Sequence, residues 1–285
     1  MSPLVNPAPA LAQLTTMRVG GPPAAFWRAD SRDELVEAAL AAEEEHEQWI
    51  VLGGGSNLVA PDAGDDGIGF PGAVVQAASR GIRHRGEDDA VRMRVEAGEP
   101  WDDLVAAAVA EGWSGVEALS GIPGSVGAAP VQNIGAYGQE LADVLVGVEL
   151  LDVETGDASW LPAAELGLGY RTSAIKRGRR GVVLAVELEL GRGSQGLGEV
   201  RYEQLAAALG VGLGERVPGA ELRAAVIALR ASKGMVLDPA DPASVGCGSF
   251  FTNPIVDEAL ARRLPADAPR WPLGDAEGAE ADWVG

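Results

Sequence analysis

The sequence predicts an α+β fold, and three observations carry this prediction. Strand-like apolar runs at 49–52 and 91–97 are interspersed with helical patterns such as the one at 101–111. The chain contains 39 glycines and 18 prolines, which predict many turns and tight backbone positions. Its 285 residues suffice for a substantial core, in one large domain or in a few small ones that share an interface.

Local patterns predict the individual elements. Ser31 is the expected N-cap of a helix that runs to about residue 45, because Glu34 follows three positions later as in a capping box. Two further strand patterns, at 146–151 and 182–188, are expected to pair in one mixed sheet. Another helix is predicted over 221–231. Helices and strands are therefore expected along the whole chain.

The acidic composition limits the partners of the protein. The 42 acidic side chains outnumber the 22 basic ones, and the formal net charge of −20 would repel a nucleic-acid backbone or an anionic bilayer. A small anionic ligand is compatible with this charge, because a few basic side chains and backbone N–H groups reverse the potential within one cleft. We expect a small-molecule partner, and neither nucleic acid nor membrane.

Cysteine usage and the N-terminal sequence predict a cytoplasmic protein. Cys247 is the only cysteine, which excludes an internal disulfide and a multi-cysteine metal site and fits a reducing compartment. No histidine motif accompanies it, so a thiolate nucleophile is not expected. Residues 1–12 lack the basic and apolar segments of a signal peptide, and no apolar run approaches membrane-spanning length. We expect no metal.

The first candidate binding segment is the turn Gly53-Gly54-Gly55-Ser56-Asn57, which follows a predicted strand. Its spacing matches neither the Rossmann fingerprint nor the P-loop. Consecutive glycines allow N–H groups to approach a phosphate closely, and a serine and an asparagine add side-chain donors. Taken alone, the pattern fits a phosphate cradle and a plain tight turn equally well.

A second glycine-rich loop, at 120–138, is more informative. It reads Ser-Gly-Ile-Pro-Gly-Ser-Val-Gly-Ala-Ala-Pro-Val-Gln-Asn-Ile-Gly-Ala-Tyr-Gly. Small residues at nearly every other position allow the backbone to press against a flat or extended ligand, and Ile122 and Ile134 would cover apolar ring edges. A purely structural loop would not need this alternation of small, apolar and amide residues. The loop therefore predicts a ligand site.

Together, the two segments resemble the UDP-N-acetylenolpyruvoylglucosamine reductase (MurB) family. Family members carry a G-x-G-S-N turn and a later S-G-I-P-G-x-V-G…Q-N-x-G-A-Y-G stretch. The resemblance implies a vanillyl-alcohol-oxidase-like (PCMH-type) FAD-binding fold with a smaller α+β substrate-binding domain, and FAD and NADPH as cofactor and hydride donor. The cofactor contacts implied by the match are Gly53, Gly54, Gly55, Ser56, Asn57, Leu58, Ser120, Gly121, Ile122, Pro123, Gly124, Gly127, Asn133, Gly135, Ala136, Tyr137 and Gly138.

Two more family signatures follow in order, at 169–173 and 246–254. The resemblance implies that Arg171 stabilises charge on the substrate carboxylate and that Ser249 delivers a proton to the adjacent carbon. Without the resemblance, these residues would be read as a surface salt-bridge partner and a turn residue.

Weaker matches suggest substrate contacts and domain limits. Tyr202, Lys233 and Asn253 resemble residues of the family's substrate-binding domain. For Tyr202 and Lys233 the plain alternatives are a buried aromatic and a solvated cation. We expect FAD-binding subdomains at 1–70 and 71–195, joined by the glycine-rich segment 191–198 to a substrate-binding domain at 196–285. We expect a monomer.

The resemblance extends from about residue 15 to residue 255. Family members continue into a closing segment whose glutamate acts with the serine. No glutamate at 270–285 matches that motif, so we expect a truncated reading frame and reduced stability or solubility.

The main functional prediction is flavin-dependent reduction of UDP-N-acetylglucosamine enolpyruvate to UDP-N-acetylmuramate. The alternatives are a flavin- or nucleotide-sugar-binding protein without turnover, and a flavoprotein oxidase with another substrate.

Overall fold

The protein is described from a computed structural model, which describes residues 4–87, 89–192, 196–249, 251–272 and 283–284. The chain divides into two compact units, Met1–Gly248 and Ser249–Gly285. The predicted domain boundaries after residues 70 and 195 stay a prediction. Residues 193–195 of the predicted linker and most of the acidic tail, at 273–282, lie outside the described residues.

Helices and strands are distributed along both units. The α-helices are α1 (Arg32–Glu45), α2 (Trp101–Ala110), α3 (Glu203–Leu209), α4 (Gly219–Ala231) and α5 (Glu258–Ala261). The strands are β1 (Pro23–Ala29), β2 (Trp49–Leu52), β3 (Phe70–Ala77), β4 (Ile82–Glu87), β5 (Ala90–Glu96), β6 (Gly135–Ala136), β7 (Gln139–Glu140), β8 (Leu145–Leu151), β9 (Ala158–Pro162), β10 (Val182–Gly191), β11 (Leu197–Glu199), β12 (Arg216–Pro218), β13 (Ile255–Val256), β14 (Trp271–Pro272) and β15 (Trp283–Val284). Among the described helices, none combines the length and the apolar character needed to cross a membrane.

A small parallel sheet opens the first unit. Its strand order is β1-β3-β2, and both pairings are parallel. Alternate residues of these strands face two clusters: Trp27 and Val75 pack with α1, whereas Phe26 and Val74 pack with Leu52 on the opposite side. Burial on both faces explains the nearly continuous apolar runs in β1 and β3.

The second sheet is larger and entirely antiparallel, in the order β4-β5-β10-β8-β9. One of its faces packs against α2, where Trp101, Leu104 and Val105 are buried. The expected pairing of the strands at 146–151 and 182–188 is confirmed, but the expectation of a mixed sheet was wrong. The two strand patterns alone do not determine strand direction, which depends on the connections between strands.

A bulge in β10 distributes its side chains between the two cores. Val183 is opposite Leu150 of β8 while Ala185 is opposite Glu149, so Leu184 is an additional residue on β10. Leu184 packs with the α1 cluster, whereas Val186, two positions later, packs with the α2 cluster. In a regular strand these two side chains would share one face. The bulge therefore allows one strand to serve both hydrophobic cores.

The remaining part of the first unit is built on α3, α4 and the β11-β12 ribbon. Their shared core contains Val200, Leu205, Leu222 and Val226, and Tyr137 packs against its edge. Because Tyr137 belongs to the glycine-rich loop, this core extends to the candidate site. In the second unit, β13, β15 and β14 form a short antiparallel sheet.

Local sequence signals predicted several elements correctly. Ser31 caps α1, with its Oγ accepting a hydrogen bond from the N–H of Glu34 at 3.2 Å. The predicted helices at 101–111 and 221–231 are α2 and α4, within one or two residues at each end. The strands at 49–52 and 91–97 are β2 and β5.

The bulge residue provides a test of the two-core arrangement. Replacing the fully buried Leu184 by alanine is expected to lower the free energy of unfolding by about 2–5 kcal/mol, because the cavity would lie between β10 and α1. Urea denaturation followed by circular dichroism measures this loss. The control Leu213→Ala removes a side chain that is 56% exposed and should change the value by less than about 0.5 kcal/mol. Equal losses in both variants would contradict the assignment.

Candidate active site

The first predicted segment, 53–57, forms a tight turn directly after β2. A Cβ on Gly54 would lie 2.6 Å from the Cα of Gly124, and one on Gly55 would lie 2.1 Å from the carbonyl oxygen of Leu14. Gly55 also has a φ of +62°, which favours glycine. The glycines therefore allow the turn to press against two other segments of backbone.

The same turn presents unused hydrogen-bond donors. Within the described parts of the chain, no group accepts a hydrogen bond from the backbone N–H groups of 53–57. The carbonyl of Gly55, by contrast, accepts one from the N–H of Thr16 at 3.1 Å. Backbone N–H groups are obligatory donors, and a run of them without internal acceptors suits an anion such as phosphate.

The turn and the loop at 120–138 are in direct contact. The Ser56 hydroxyl donates to the carbonyl of Pro123 at 2.9 Å. A Cβ on Gly53 would lie 2.2 Å from Oγ of Ser125, which is buried. The structure thus brings together two predicted site segments that are separated by more than sixty residues in the sequence.

Backbone hydrogen bonds hold the start of this loop against the larger sheet and α2. Val126 donates its N–H to the carbonyl of Glu99, and Gly127 donates to that of Ala97, both at 2.8 Å. A Cβ on Gly127 would lie 2.6 Å from the Cβ of Ala97, so glycine is required for this approach. The loop is therefore a fixed part of the fold.

Asn133 connects the middle of the loop to two neighbouring segments. Its Nδ2 donates to Oε2 of Glu140 at 2.8 Å and to the carbonyl of Gly169 at 3.2 Å, and its Oδ1 accepts from the N–H of Ala142 at 3.0 Å. The residue is 1% exposed and has a φ of +47°, a conformation that asparagine tolerates. Its side-chain amide is therefore committed to internal contacts.

Arg171 is held against the same loop. Its Nη1 donates to the carbonyl of Asn133 at 3.3 Å, and its Nη2 donates to that of Gly135 at 2.9 Å. The carbonyl of Arg171 itself accepts a hydrogen bond from Nζ of Lys176 at 2.8 Å. A guanidinium carries about five N–H donors, so further donors are available to a ligand. The predicted catalytic arginine thus lies beside a predicted cofactor segment.

Tyr137 is the point at which the predicted cofactor and substrate residues meet. Its ring packs edge-to-face on Tyr202, with 5.6 Å between the ring centroids. Nζ of Lys233 lies 5.8 Å from the Tyr137 centroid and donates to Oε1 of Gln204 at 2.7 Å. The structure therefore places Tyr202 and Lys233 together, next to the end of the glycine-rich loop.

A cleft of about 390 Å³ opens beside these residues, of a size suitable for part of a nucleotide or sugar ligand. Its polar lining includes two guanidinium groups, from Arg171 and Arg201. The lining residues are Gly135, Ala136, Tyr137, Gly138, Gln139, Glu140, Asp143, Arg171 and Arg201.

Charged groups near the loop have perturbed acidities. Burial would raise the pKa of Asp102, but hydrogen bonds from Arg223 and from the N–H of Gly121 lower it below its usual range. Burial raises the pKa of Tyr137, and the nearby cation of Arg230 opposes this shift. Asp102 is therefore an anion paired within the protein, and Tyr137 is a neutral phenol near a cation.

Sequence reasoning missed four polar residues of this region. Arg201 and Arg230 were not selected, although Arg201 directly precedes Tyr202 and Arg230 lies three positions before Lys233, a helical neighbour spacing. The buried pair Glu117 and Gln139 was also missed. Nε2 of Gln139 donates to Oε2 of Glu117 at 3.2 Å, so this contact joins two segments that a linear pattern does not relate.

The second unit contains the other two predicted residues, Ser249 and Asn253, both exposed within it. Phe250, from the same signature, lies outside the described residues. Cys247, at the end of the first unit, has a free thiol. In the parts of the chain that are described, no group of three or more His, Cys, Asp or Glu residues could hold a metal ion.

Comparison with known proteins identifies the class first. The family described as "FAD binding domain" matches residues 23–161, which include the phosphate-suited turn and the glycine-rich loop. The fold and the site therefore define an FAD-dependent flavoprotein.

Relatives over nearly the whole chain identify the family. The UDP-N-acetylenolpyruvoylglucosamine reductase of Leifsonia xyli subsp. xyli is 58% identical over 94% of this chain and 72% of the relative. That of Salinispora arenicola is 50% identical over 93% of this chain and 73% of the relative. The crystal structure of the reductase (MurB) from Thermus caldophilus superposes with a TM-score of 0.60 at 30% identity, covering 88% of this chain and 76% of that one. The chain belongs to the UDP-N-acetylenolpyruvoylglucosamine reductase family, a family of oxidoreductases.

The residues present fit FAD. The turn at 53–57 offers N–H donors that have no acceptor within the described parts of the chain, and its glycines carry no side chains, as a diphosphate requires. The adjoining loop presents small residues and half-buried apolar side chains from Ile122 and Ile134, which suit a flat ring system.

The glycine contact between the two loops generates a stability prediction. Gly54→Ala is expected to lower the free energy of unfolding by about 1–3 kcal/mol, because the new methyl group would collide with the backbone of Gly124. Differential scanning calorimetry measures the loss. Gly64→Ala is the matched control, since its Cβ would lie 3.3 Å from the side-chain carboxylate of Asp66 and 3.9 Å from the carbonyl oxygen of Ile68, and neither distance is a clash with backbone. A Gly54→Ala melt identical to that of the control would refute the close packing.

The Asn133 contacts generate a second prediction. Asn133→Asp keeps the shape but replaces the Nδ2 donor by an oxygen facing Glu140 and the carbonyl of Gly169, which should cost about 1–3 kcal/mol of unfolding free energy at neutral pH. Burial and Glu140 would raise the pKa of the new carboxyl, so the deficit should shrink as the pH falls and the group is protonated. Urea titrations across pH measure this, with exposed Asn6→Asp as control. A pH-independent deficit would count against the contacts.

Proposed function

We propose that this protein reduces the enolpyruvyl group of UDP-N-acetylglucosamine enolpyruvate to give UDP-N-acetylmuramate, with FAD as cofactor and NADPH as hydride donor. The observation that carries the proposal is the position of Arg171. Its guanidinium is fixed on the carbonyls of Asn133 and Gly135, within the loop proposed for FAD, and it lines the cleft. A fixed cation at that point suits a substrate carboxylate that must lie next to the cofactor.

The two glycine-rich segments are the proposed FAD site. The N–H groups of 53–57, including that of Ser56, would hold the diphosphate together with the side-chain amide of Asn57, because the Ser56 hydroxyl already donates to the carbonyl of Pro123. The loop at 120–138 would cover the ring system. When bound, FAD supplies hydride transfer between NADPH and the enolpyruvyl group. Among the described residues, no group accepts a hydrogen bond from the N–H groups of this turn, and this supports the assignment.

Arg171 and Ser249 are the proposed catalytic residues. Hydride addition to the terminal carbon of the enolpyruvyl group leaves negative charge that spreads onto the carboxylate. Arg171 would bind that carboxylate through its remaining N–H donors and lower the energy of the charged state. Ser249 would then donate its hydroxyl proton to the carbon next to the carboxylate. A serine hydroxyl is a weak acid, so its competence depends on neighbouring groups.

Tyr202, Lys233 and Asn253 are the proposed substrate-binding residues. The packing of Tyr202 on Tyr137 and the position of Lys233 over the same ring support a shared binding surface for a sugar nucleotide. A lysine ammonium would pair with the substrate diphosphate, and an aromatic ring would close over the sugar or base. The proposal includes a cytoplasmic monomer without nucleic-acid or membrane partners, in keeping with the net charge of −20.

Steady-state NADPH oxidation tests the proposal. The purified 285-residue chain is loaded with FAD, and loss of NADPH absorbance is followed with and without UDP-N-acetylglucosamine enolpyruvate. We expect oxidation that depends on this substrate and is faster with NADPH than with NADH. Arg171→Lys should lower kcat/KM by about 10²–10³-fold, because a point charge does not replace a planar, bidentate donor.

The matched control is Arg28→Lys. Arg28 pairs with Asp30 at the exposed surface of β1, so this variant should retain the activity of the unsubstituted protein. Bound flavin without substrate-dependent NADPH oxidation would contradict the proposal and favour a binding protein without turnover. Oxygen consumption at a rate that does not change when the UDP-sugar is added would favour an oxidase.

A further inference from the structure

Arg230 lies in the last turn of α4, beneath the glycine-rich loop. Its Nε is 3.3 Å from the point that a Cβ on Gly121 would occupy, and Gly121 has a φ of +69°. Cδ1 of Ile227 would be closer still, at 2.9 Å, so a side chain at position 121 would require Ile227, the guanidinium or the loop to shift. The close approach means that Arg230 is adjacent to a segment that we assign to FAD.

The hydrogen bonds of Arg230 are incomplete. Nη2 donates to the carbonyl of Met235 at 3.2 Å. Nε is buried, and within the described residues no group accepts a hydrogen bond from it. A buried donor without an acceptor is destabilising, and more so when the group is charged. This cost indicates that the hydrogen-bond acceptor for Nε of Arg230 comes from a group outside the described residues.

The charge of Arg230 is only partly compensated among the described residues. Asp102, the carboxylate that favours the charged form of Arg230, is already held by Arg223 in a two-point ion pair, with distances of 2.6 and 2.8 Å, and by the N–H of Gly121 at 2.6 Å. Burial lowers the pKa of Arg230, which reflects the cost of keeping this cation away from water. One carboxylate thus serves two arginines, and Arg223 has the direct contacts.

A structural role explains only part of this arrangement. A cation in the last turn of a helix stabilises the carbonyls exposed there, and Nη2 of Arg230 in addition holds the carbonyl of Met235, four residues after the end of α4. That role would leave the guanidinium in solvent, where Nε needs no protein acceptor. It does not explain why Nε is buried against the loop, on the side of Tyr137, whose acidity Arg230 influences.

We propose that Arg230 is an anion-binding residue of the cofactor site, which pairs with a negatively charged group of bound FAD through its Nε–H edge. The inference rests on the proposed assignment of the loop at 120–138 to FAD. Two anionic groups of the cofactor have the required chemistry: the diphosphate, and the pyrimidine edge of the flavin ring when the flavin is reduced.

Binding and redox measurements test this role without turnover. Dissociation constants for FAD and for riboflavin, and the midpoint potential of bound flavin, are measured for the unsubstituted chain, Arg230→Gln and Arg230→Lys. The Gln variant should bind FAD about ten- to a hundredfold more weakly or hold a flavin of lower midpoint potential, because it lacks the charge. The Lys variant keeps the charge and should retain most of either property. The control is Arg180→Gln, which removes a charge at an exposed ion pair with Glu43.

The affinity and potential measurements distinguish the FAD diphosphate from the reduced flavin ring as the anion that Arg230 binds. A loss of affinity for FAD but not for riboflavin, with a weaker salt dependence, identifies the diphosphate. A lower midpoint potential identifies the flavin ring. Equal losses in Arg230→Gln and Arg230→Lys, or unchanged affinity and potential in a folded Gln variant, would overturn the proposal. Failure of the unsubstituted chain to bind FAD would instead overturn the FAD assignment itself.

Discussion

The hydrogen bonds from the Arg171 guanidinium to the carbonyls of Asn133 and Gly135 join the two halves of the candidate site. They fix an arginine from one turn onto a loop that begins about fifty residues earlier in the sequence. Asn133 reinforces the junction, because its buried side chain also holds the carbonyl of Gly169. The side chain of Arg171 is therefore held in place only if the loop at 120–138 is itself ordered. In physical terms, the cofactor segment and the proposed substrate anchor form one structural unit.

Backbone proximity is the second constraint on the site. The turn at 53–57 meets the loop at 120–138 at distances that exclude a Cβ on Gly54, and Gly127 makes a comparable approach to Ala97. These contacts use glycine for packing between backbone segments, and they leave the N–H groups of the turn without internal acceptors among the described residues. Glycine thus has two roles here: it allows the loops to pack closely, and it leaves donors accessible to a ligand.

Local chemistry explains which features were predictable. The Ser31 cap and the apolar stripe of α1 act within a few residues, so the sequence predicted that helix correctly. The parallel strand β1 was not predicted, because its role depends on pairing with β3, more than forty residues later. The Leu184 bulge and the burial of Nε of Arg230, which has no acceptor among the residues that the structure describes, likewise depend on tertiary contacts. Family motifs selected Arg171, Tyr202 and Lys233, but only the fold shows that the last two meet at Tyr137.

The most direct test of the central claim is a crystal structure of this chain with FAD bound. We predict that the FAD diphosphate accepts hydrogen bonds from backbone N–H groups of 53–57, and that the flavin ring lies along the loop at 120–138 within reach of the cleft lined by Arg171. An FAD molecule bound elsewhere, with those N–H groups still lacking a partner, would contradict the account.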